Sequence, residues 1–390
     1  MKLKKNQILK YLSIVIIFTS WIVFYTIPRD LQYPLFFIPA TLLIFYSFYP
    51  YKKENFIAFI LFGIVIFRFF IPEDPSITNV SFWAAMIRAT LLSSLFLIDK
   101  KSLMTMYGYF RKYLFYIMIV SLPFYLLYIT GLLPIGQIAT HIGGDGDGRT
   151  WNVYLFFSLQ DVPFRGEIIR FPAIFDEPGF LGVILAFVLA IEKFDLSKIQ
   201  NKVFLFCGIL TFSLAFYLLV TVYLLLSFNI GLKYKLYGTA TALILILFGY
   251  TFFTSDFERR IIDRLVSDEG YFWEGSGRVG IDVQYIILEG IRTLETKELL
   301  FGGGFQAHHD RSFTSGVTWD RLIFQLGLVF LGYLIGLILF YGSKSRQTFL
   351  FSILFILSLM QRPAIFIPIW FFLLIIGLFI DDKKTNKTKY

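Results

Sequence analysis

The sequence predicts an all-α polytopic integral membrane protein: one membrane domain over residues 1–390, about twelve transmembrane helices (ten to twelve), and two long structured outer loops. Three observations predict it. Hydrophobic residues make up 57% of the chain and charged residues 16%, where an ordinary soluble domain carries about 25% charged residues. Mean hydropathy is +0.69. Apolar windows of about 20 residues, the length that crosses a bilayer, recur along the chain, and twelve of them leave only about 150 positions for loops and tails. A large soluble domain does not fit, and neither does a disordered or fibrous chain. The single Cys207 excludes an internal disulfide.

The windows fall at Ile8–Ile27, Leu31–Pro50, Phe56–Ile71, Val80–Ile98 and Tyr113–Leu133, then at Pro178–Glu192, Lys202–Ser213, Leu214–Gly231 and Leu236–Phe253, and last at Trp319–Tyr341, Phe349–Met360 and Pro363–Ile380. The first has the basic start of a signal peptide. It lacks a small-residue cleavage site and ends at Pro28-Arg29, so it reads as a span. The run Val203–Leu232 is too long for one crossing and divides near Ser213.

Alternate loops collect the lysines. One side holds 21 of the 36 basic residues, 19 Lys and 2 Arg. The positive-inside rule makes that side cytoplasmic, which places both termini in the cytoplasm and turns the loops Pro134–Glu177 and Thr254–Thr318 outward. The other fifteen basic residues are 14 Arg and one lysine, Lys297. Charge placed by topology in this way speaks against nucleic acid as the partner of a chain of net charge +9. Arginine offers a rigid fork that grips phosphate or carboxylate in bidentate fashion. An outward site for a phosphate-bearing anion therefore fits the division. The alternative is that arginine merely suits membrane interfaces.

Span interiors contain no Asp or Glu, with Glu192 and Asp320 at ends. Coupled transporters usually carry their ions on intramembrane carboxylates, so a coupled pump is disfavoured. No matched pair of Gly/Pro-broken helices and no internal repeat is seen. Two arginines lie in spans. Arg68, near Pro72, is expected to snorkel outward. Arg88, in mid-span, is expected to face a cavity, a lipid phosphate or backbone carbonyls.

In the first outer loop Arg165 and Arg170 precede Phe171-Pro-Ala-Ile-Phe-Asp-Glu-Pro-Gly-Phe-Leu-Gly182. Pro178 suits a first helical turn, and Asp176 and Glu177 suit its positive end. Gly143-Gly-Asp-Gly-Asp-Gly-Arg149 lacks the remaining ligands of a calcium loop and reads as a flexible turn. The second loop opens at Ser255-Asp-Phe-Glu258 with capping-box spacing. A short helix there sets Arg260 and Arg264 on one face. Gly275-Ser-Gly-Arg278 leads to an amphipathic helix from about Val279 to Thr296, and Gly302-Gly-Gly304 and His308-His309-Asp310-Arg311 follow. Adjacent histidines without a nearby thiol make a poor zinc site. Either one can serve as a general base, or the pair is a solvated polar turn.

These blocks, in this order, resemble the O-antigen polymerase and O-antigen ligase superfamily (the Wzy-type polysaccharide polymerases and their ligase relatives). The resemblance covers about Arg165 to Leu339. It rests on Arg170 with Pro178-Gly179 at a helix start, on Ser276-Gly-Arg278 before an amphipathic helix, and on Leu300-Phe-Gly-Gly-Gly304 followed by His and a span interrupted at Gly327 and Gly332. The resemblance implies a membrane glycosyltransferase of GT-C-like architecture in the bacterial inner membrane, with its active site facing the periplasm. Its partners would be a polyprenyl-diphosphate-linked oligosaccharide donor and acceptor, the bilayer, and possible companions in a chain-length regulator and a flippase. It implies no metal and no cofactor. Arg170 and Arg278 would grip the diphosphate, within a binding set that includes Arg165, Arg264, Arg311 and Arg88. His308, His309 or Glu177 would take the hydroxyl proton. The histidines lie about ten residues before Trp319, earlier than in the ligases, which favours a polymerase over a ligase. A lipid-linked oligosaccharide flippase is the alternative from another class.

Overall fold

The computed structural model describes residues 5–19, 33–71, 80–132, 139–142, 150–154, 157–161, 170–175, 177–227, 296–304, 318–359 and 366–379. Among them are twelve α-helices and three short strands. Helix α1 is Lys5–Phe18. A π-helical turn, Tyr33–Phe37, leads into α2, Ile38–Ser47. Then come α3 (Lys53–Phe70), α4 (Val80–Ser94) and α5 (Lys100–Ile129). Strands β1 (Ala139–Ile142), β2 (Thr150–Val153) and β3 (Ser158–Asp161) follow. The remaining helices are α6 (Pro178–Ile191), α7 (Ile199–Leu210), α8 (Leu214–Leu226), α9 (Thr296–Phe301), α10 (Thr318–Gly342), α11 (Arg346–Leu359) and α12 (Pro368–Phe379). Helix α5 and the Leu322–Gly342 part of α10 are long and apolar enough to cross a membrane.

Most helices fall where the apolar windows predict them. The expected division near Ser213 is the joint between α7 and α8, and Ser213 caps α8 by accepting from the Phe216 amide. The window Leu236–Phe253 lies outside the described residues. Two features differ from the sequence expectation, and the break in α10 falls at one of the two glycines where the sequence interrupts that span. Helix α5 begins at Lys100, thirteen residues before the window at Tyr113. Hydropathy senses charge rather than helicity, and Asp99 starts the helix by accepting from the Ser102 amide at 3.0 Å. Helix α10 is broken at Gly327 (φ 71°, ψ 168°). The segment between α5 and α6 contains an antiparallel sheet of order β1-β2-β3, with His141 opposite Trp151 and Asn152 opposite Leu159. Ile142 pairs with Thr150, and the Gly143–Arg149 run lies outside the described residues.

Helices α6 and α12 form the axis. Every residue from Gly179 to Ile191 and from Pro368 to Leu378 is buried. A helix apolar on all faces must be enclosed. At 14 residues α6 is only about 21 Å long, shorter than a bilayer core of about 30 Å, so it is sheathed by protein. Phe187 packs on Phe355 and Trp370, and Trp370 stacks on Phe180 at 5.8 Å. Small residues let the chain come close: a side chain at Gly182 would meet Ser213 and Phe216, and one at Gly377 would meet the Phe351 ring. Buried Gln347 ties three helices by donating to the Ala190 carbonyl at 2.9 Å and the Tyr223 hydroxyl at 3.1 Å.

Helix α5 serves as a ruler between the two ends of the bundle. Near its start, Lys5 pairs with Asp99 at 3.0 Å, Arg111 pairs with Glu192, and Lys198 meets Glu192 at 2.6 Å. Near its far end, Tyr125 packs on Phe171 and Tyr128 on Tyr154. The predicted arginines of α3 and of the first outer loop, Arg68 and Arg170, stand at that far end.

The first end carries a pH-sensitive lock. Burial acts to raise the Asp99 carboxyl, but hydrogen bonds from Ser102 and Lys5 outweigh it and hold the group below its ordinary value. A depressed carboxyl stabilises the fold above its unfolded value and loses that contribution as pH falls through the lowered folded value. Melting temperature in detergent is therefore expected to fall with acidification below about pH 3.8. Asp99→Asn should flatten that acid limb and cost about 0.2–1 kcal/mol at neutral pH, because asparagine still caps the helix and only the exposed ion pair with Lys5 is lost. An unchanged acid limb in the variant would assign the dependence to other groups.

Candidate functional site

The far end of α5 is a small aromatic platform. Beyond β2, the Tyr154 amide donates to the Phe157 carbonyl at 2.8 Å, which ties the end of β2 to the residue before β3. The two rings stack at 4.7 Å. Phe157 meets Tyr125 and Tyr128, and the Tyr154 and Tyr128 hydroxyls lie 3.1 Å apart. Through these contacts the sheet docks on α5.

Beside the platform lies the segment Arg170–Phe175. Phe171 through Phe175 are buried, and Ala173 takes a left-handed conformation at φ 50°. A non-glycine residue held there costs on the order of 1 kcal/mol and persists only where its surroundings impose it. Those surroundings are the end of α7: the Phe171 amide donates to the Leu210 carbonyl at 3.0 Å, and Arg170 donates from Nε to the Thr211 carbonyl at 2.9 Å. The last carbonyls of a helix have no intrahelical partner and carry partial negative charge, so the segment caps α7 with one amide and one guanidinium. Arg170 is half-buried, and Tyr125 and Tyr217 lie within reach of its charge.

The same turn brings in α6. Two residues beyond Thr211, Ser213 sits against Gly182 in the first turns of that helix. Glu177 occupies the N-cap position in an extended conformation, and Pro178 supplies the first turn. Arg170 and the positive end of α6 thus share the Thr211–Ser213 turn. Sequence reasoning missed Thr211 and Ser213. The only signal was a Thr-Phe-Ser break in a long apolar run, and nothing in it pointed to Arg170.

Two other arginines have clear partners. Arg88 is half-buried on α4, its guanidinium 5.5 Å from the centre of the Phe70 ring on α3. That geometry gives it a cation–π contact. Arg68 does not simply snorkel, as its place near Pro72 suggests. It turns onto backbone carbonyls, donating to Ile71 at 3.2 Å, to Phe301 at 2.9 Å and to Gly302. Carbonyls exposed by two helix ends meeting at one place attract it more strongly than the surface does.

Of the residues expected in the site, the structure places Arg170 and Glu177 at the two ends of one short segment and Arg88 on α4 beside α3. Arg165, Arg264, Arg278, Arg311, His308 and His309 lie outside the described residues. Comparison of the chain with protein-family models, with curated proteins and with solved structures finds no match in any of the three.

Proposed function

We propose that the chain is a membrane glycosyltransferase: an inverting polysaccharide polymerase that transfers a polyprenyl-diphosphate-linked glycan onto the next lipid-linked repeat unit, without metal, at the periplasmic face of a bacterial inner membrane. The observation that carries this reading is the arrangement around Thr211–Ser213. A guanidinium anchored on a helix C-terminus and the N-terminus of the fully buried α6 stand at the same end of the bundle, where the sequence places its arginines rather than its lysines.

In the proposed reaction the acceptor sugar hydroxyl attacks the anomeric carbon. The new glycosidic C–O bond forms as the C–O bond to the diphosphate breaks, and polyprenyl diphosphate leaves with the electron pair. The hydroxyl proton passes to His308, His309 or Glu177. Charge grows on the leaving diphosphate, and donors fixed before the reaction stabilise it without reorganising. Arg170 and Arg278 are assigned that role, with Arg165, Arg264 and Arg311 as further contacts. Arg88 is a weaker member of the set because its charge already lies over Phe70.

The purified protein in detergent, given lipid-linked repeat units and neither metal nor nucleotide, is expected to yield a ladder of lengthened lipid-linked glycans. Absence of lengthened product defeats the proposal. Transfer only to an acceptor outside the lipid-linked pool would make the chain a ligase.

A further inference from the structure

Arg68 sits in the last turn of α3, 233 residues before Phe301 in sequence. Its Nε, Nη1 and Nη2 donate to the carbonyls of Phe301, Ile71 and Gly302 respectively. Ile71 is the C-cap of α3, and Phe301 ends α9, with Gly302 directly after it. One planar fork therefore satisfies two helix C-termini at once, both of them electron-rich. The other side of the same backbone is held by α10. Gly303 donates to the Phe324 carbonyl at 2.8 Å and Gly304 to the Gln325 carbonyl at 3.0 Å. Those are two of the carbonyls that the break at Gly327 releases from their helix.

The glycine run is thus clasped from both sides. Gly302, Gly303 and Gly304 are buried, and Gly302 and Gly304 take positive φ values of 68° and 81°. In sequence, His308 and His309 follow Gly304 by four and five residues. We propose that Arg68 is a positioning residue. It fixes Gly302–Gly304, the glycine run that precedes the two histidines in sequence, against the broken turn of α10. The reaction it serves is the glycosyl transfer proposed above, on which this step rests.

The test uses Arg68→Gln and Arg68→Lys in the full-length purified protein. Amide exchange over Glu298–Gly304 reads the clasp directly. Loss of the bonds that hold this backbone should speed exchange at Gly303 and Gly304 about tenfold in Arg68→Gln, with less effect in Arg68→Lys. Turnover should fall about a hundredfold, the usual penalty for a small misplacement of reacting groups, while KM for the lipid-linked repeat units stays at the native value. Native exchange rates at Gly303 and Gly304 in both variants would overturn the proposal, as would a loss confined to KM. If Arg68→Gln does not fold, Arg68→Lys carries the same two readouts. Faster exchange in a variant whose native parent lengthens no glycan would support the clasp and remove the glycosyl-transfer reading.

Discussion

Arg170→Lys is expected to lower turnover by about a hundredfold, the loss typical when one donor to a developing negative charge is removed, while the protein remains folded. Arg170 already spends Nε on the Thr211 carbonyl. A guanidinium can do that and still present charge along its other edge, whereas an ammonium is a single compact charge on a flexible stem. Lysine can reach the end of α7 or an anion at the head of α6, but it cannot serve both with fixed geometry. Arg170→Ala should lose activity and stability together, because it takes the donor from the carbonyl of buried Thr211 at a cost of about 1–3 kcal/mol. The two variants therefore separate the roles. In Arg170→Lys the melting temperature should stay within a few degrees of native, and the rate of glycan lengthening carries the loss. Near-native turnover in Arg170→Lys removes the diphosphate-clamp idea. A collapse of melting temperature in both variants assigns Arg170 to the capping of α7 alone.

The axis of the bundle was legible because its cause is local. Helices α6 and α12 are apolar on every face, so a window of hydropathy finds them, and Pro178 marks the start of α6 to the residue. What the sequence hid depends on partners far away along the chain. Arg68 reads as a snorkelling side chain until α9 arrives 233 residues later with carbonyls to cap. Arg170 reads as a ligand group, and its bond to Thr211 crosses 41 residues. The excess of arginine outside the lysine-rich loops thus has a structural component beside any ligand it serves. At Arg68 and Arg170 the fork serves helix C-termini, a task for which lysine is poorly shaped. The sheet was missed for another reason. Ala139–Ile142 and Thr150–Val153 are short, half-apolar runs around a glycine-rich stretch. They read as a hairpin only if each run is granted strand character before its partner is known.

Gly327→Ala is expected to be among the most damaging single substitutions in the described structure, costing about 3–5 kcal/mol from backbone strain and overpacking combined. The residue holds φ 71° and ψ 168°, a region open almost solely to glycine. A methyl group there would also stand 2.5 Å from the Leu300 carbonyl carbon. The reciprocal holds for Gly302, where a methyl group would lie 2.5 Å from the Gly327 nitrogen and 2.6 Å from the Gln325 carbonyl carbon. The obstructing atoms on both sides are backbone, so no rotamer change can relieve the clash. Gly332 and Gly336 lie on the same helix with open space around them. Alanine at either should be neutral or slightly stabilising, by up to about 1 kcal/mol of helix propensity. Melting curves in detergent for the four alanine variants therefore form a matched set. If Gly327→Ala and Gly302→Ala melt with Gly332→Ala, the two backbones do not cross as described, and the carbonyls of Phe324 and Gln325 have some other partner. If the first pair fails to fold while the second pair does not change, the break in α10 is a crossing of two backbones built for glycine.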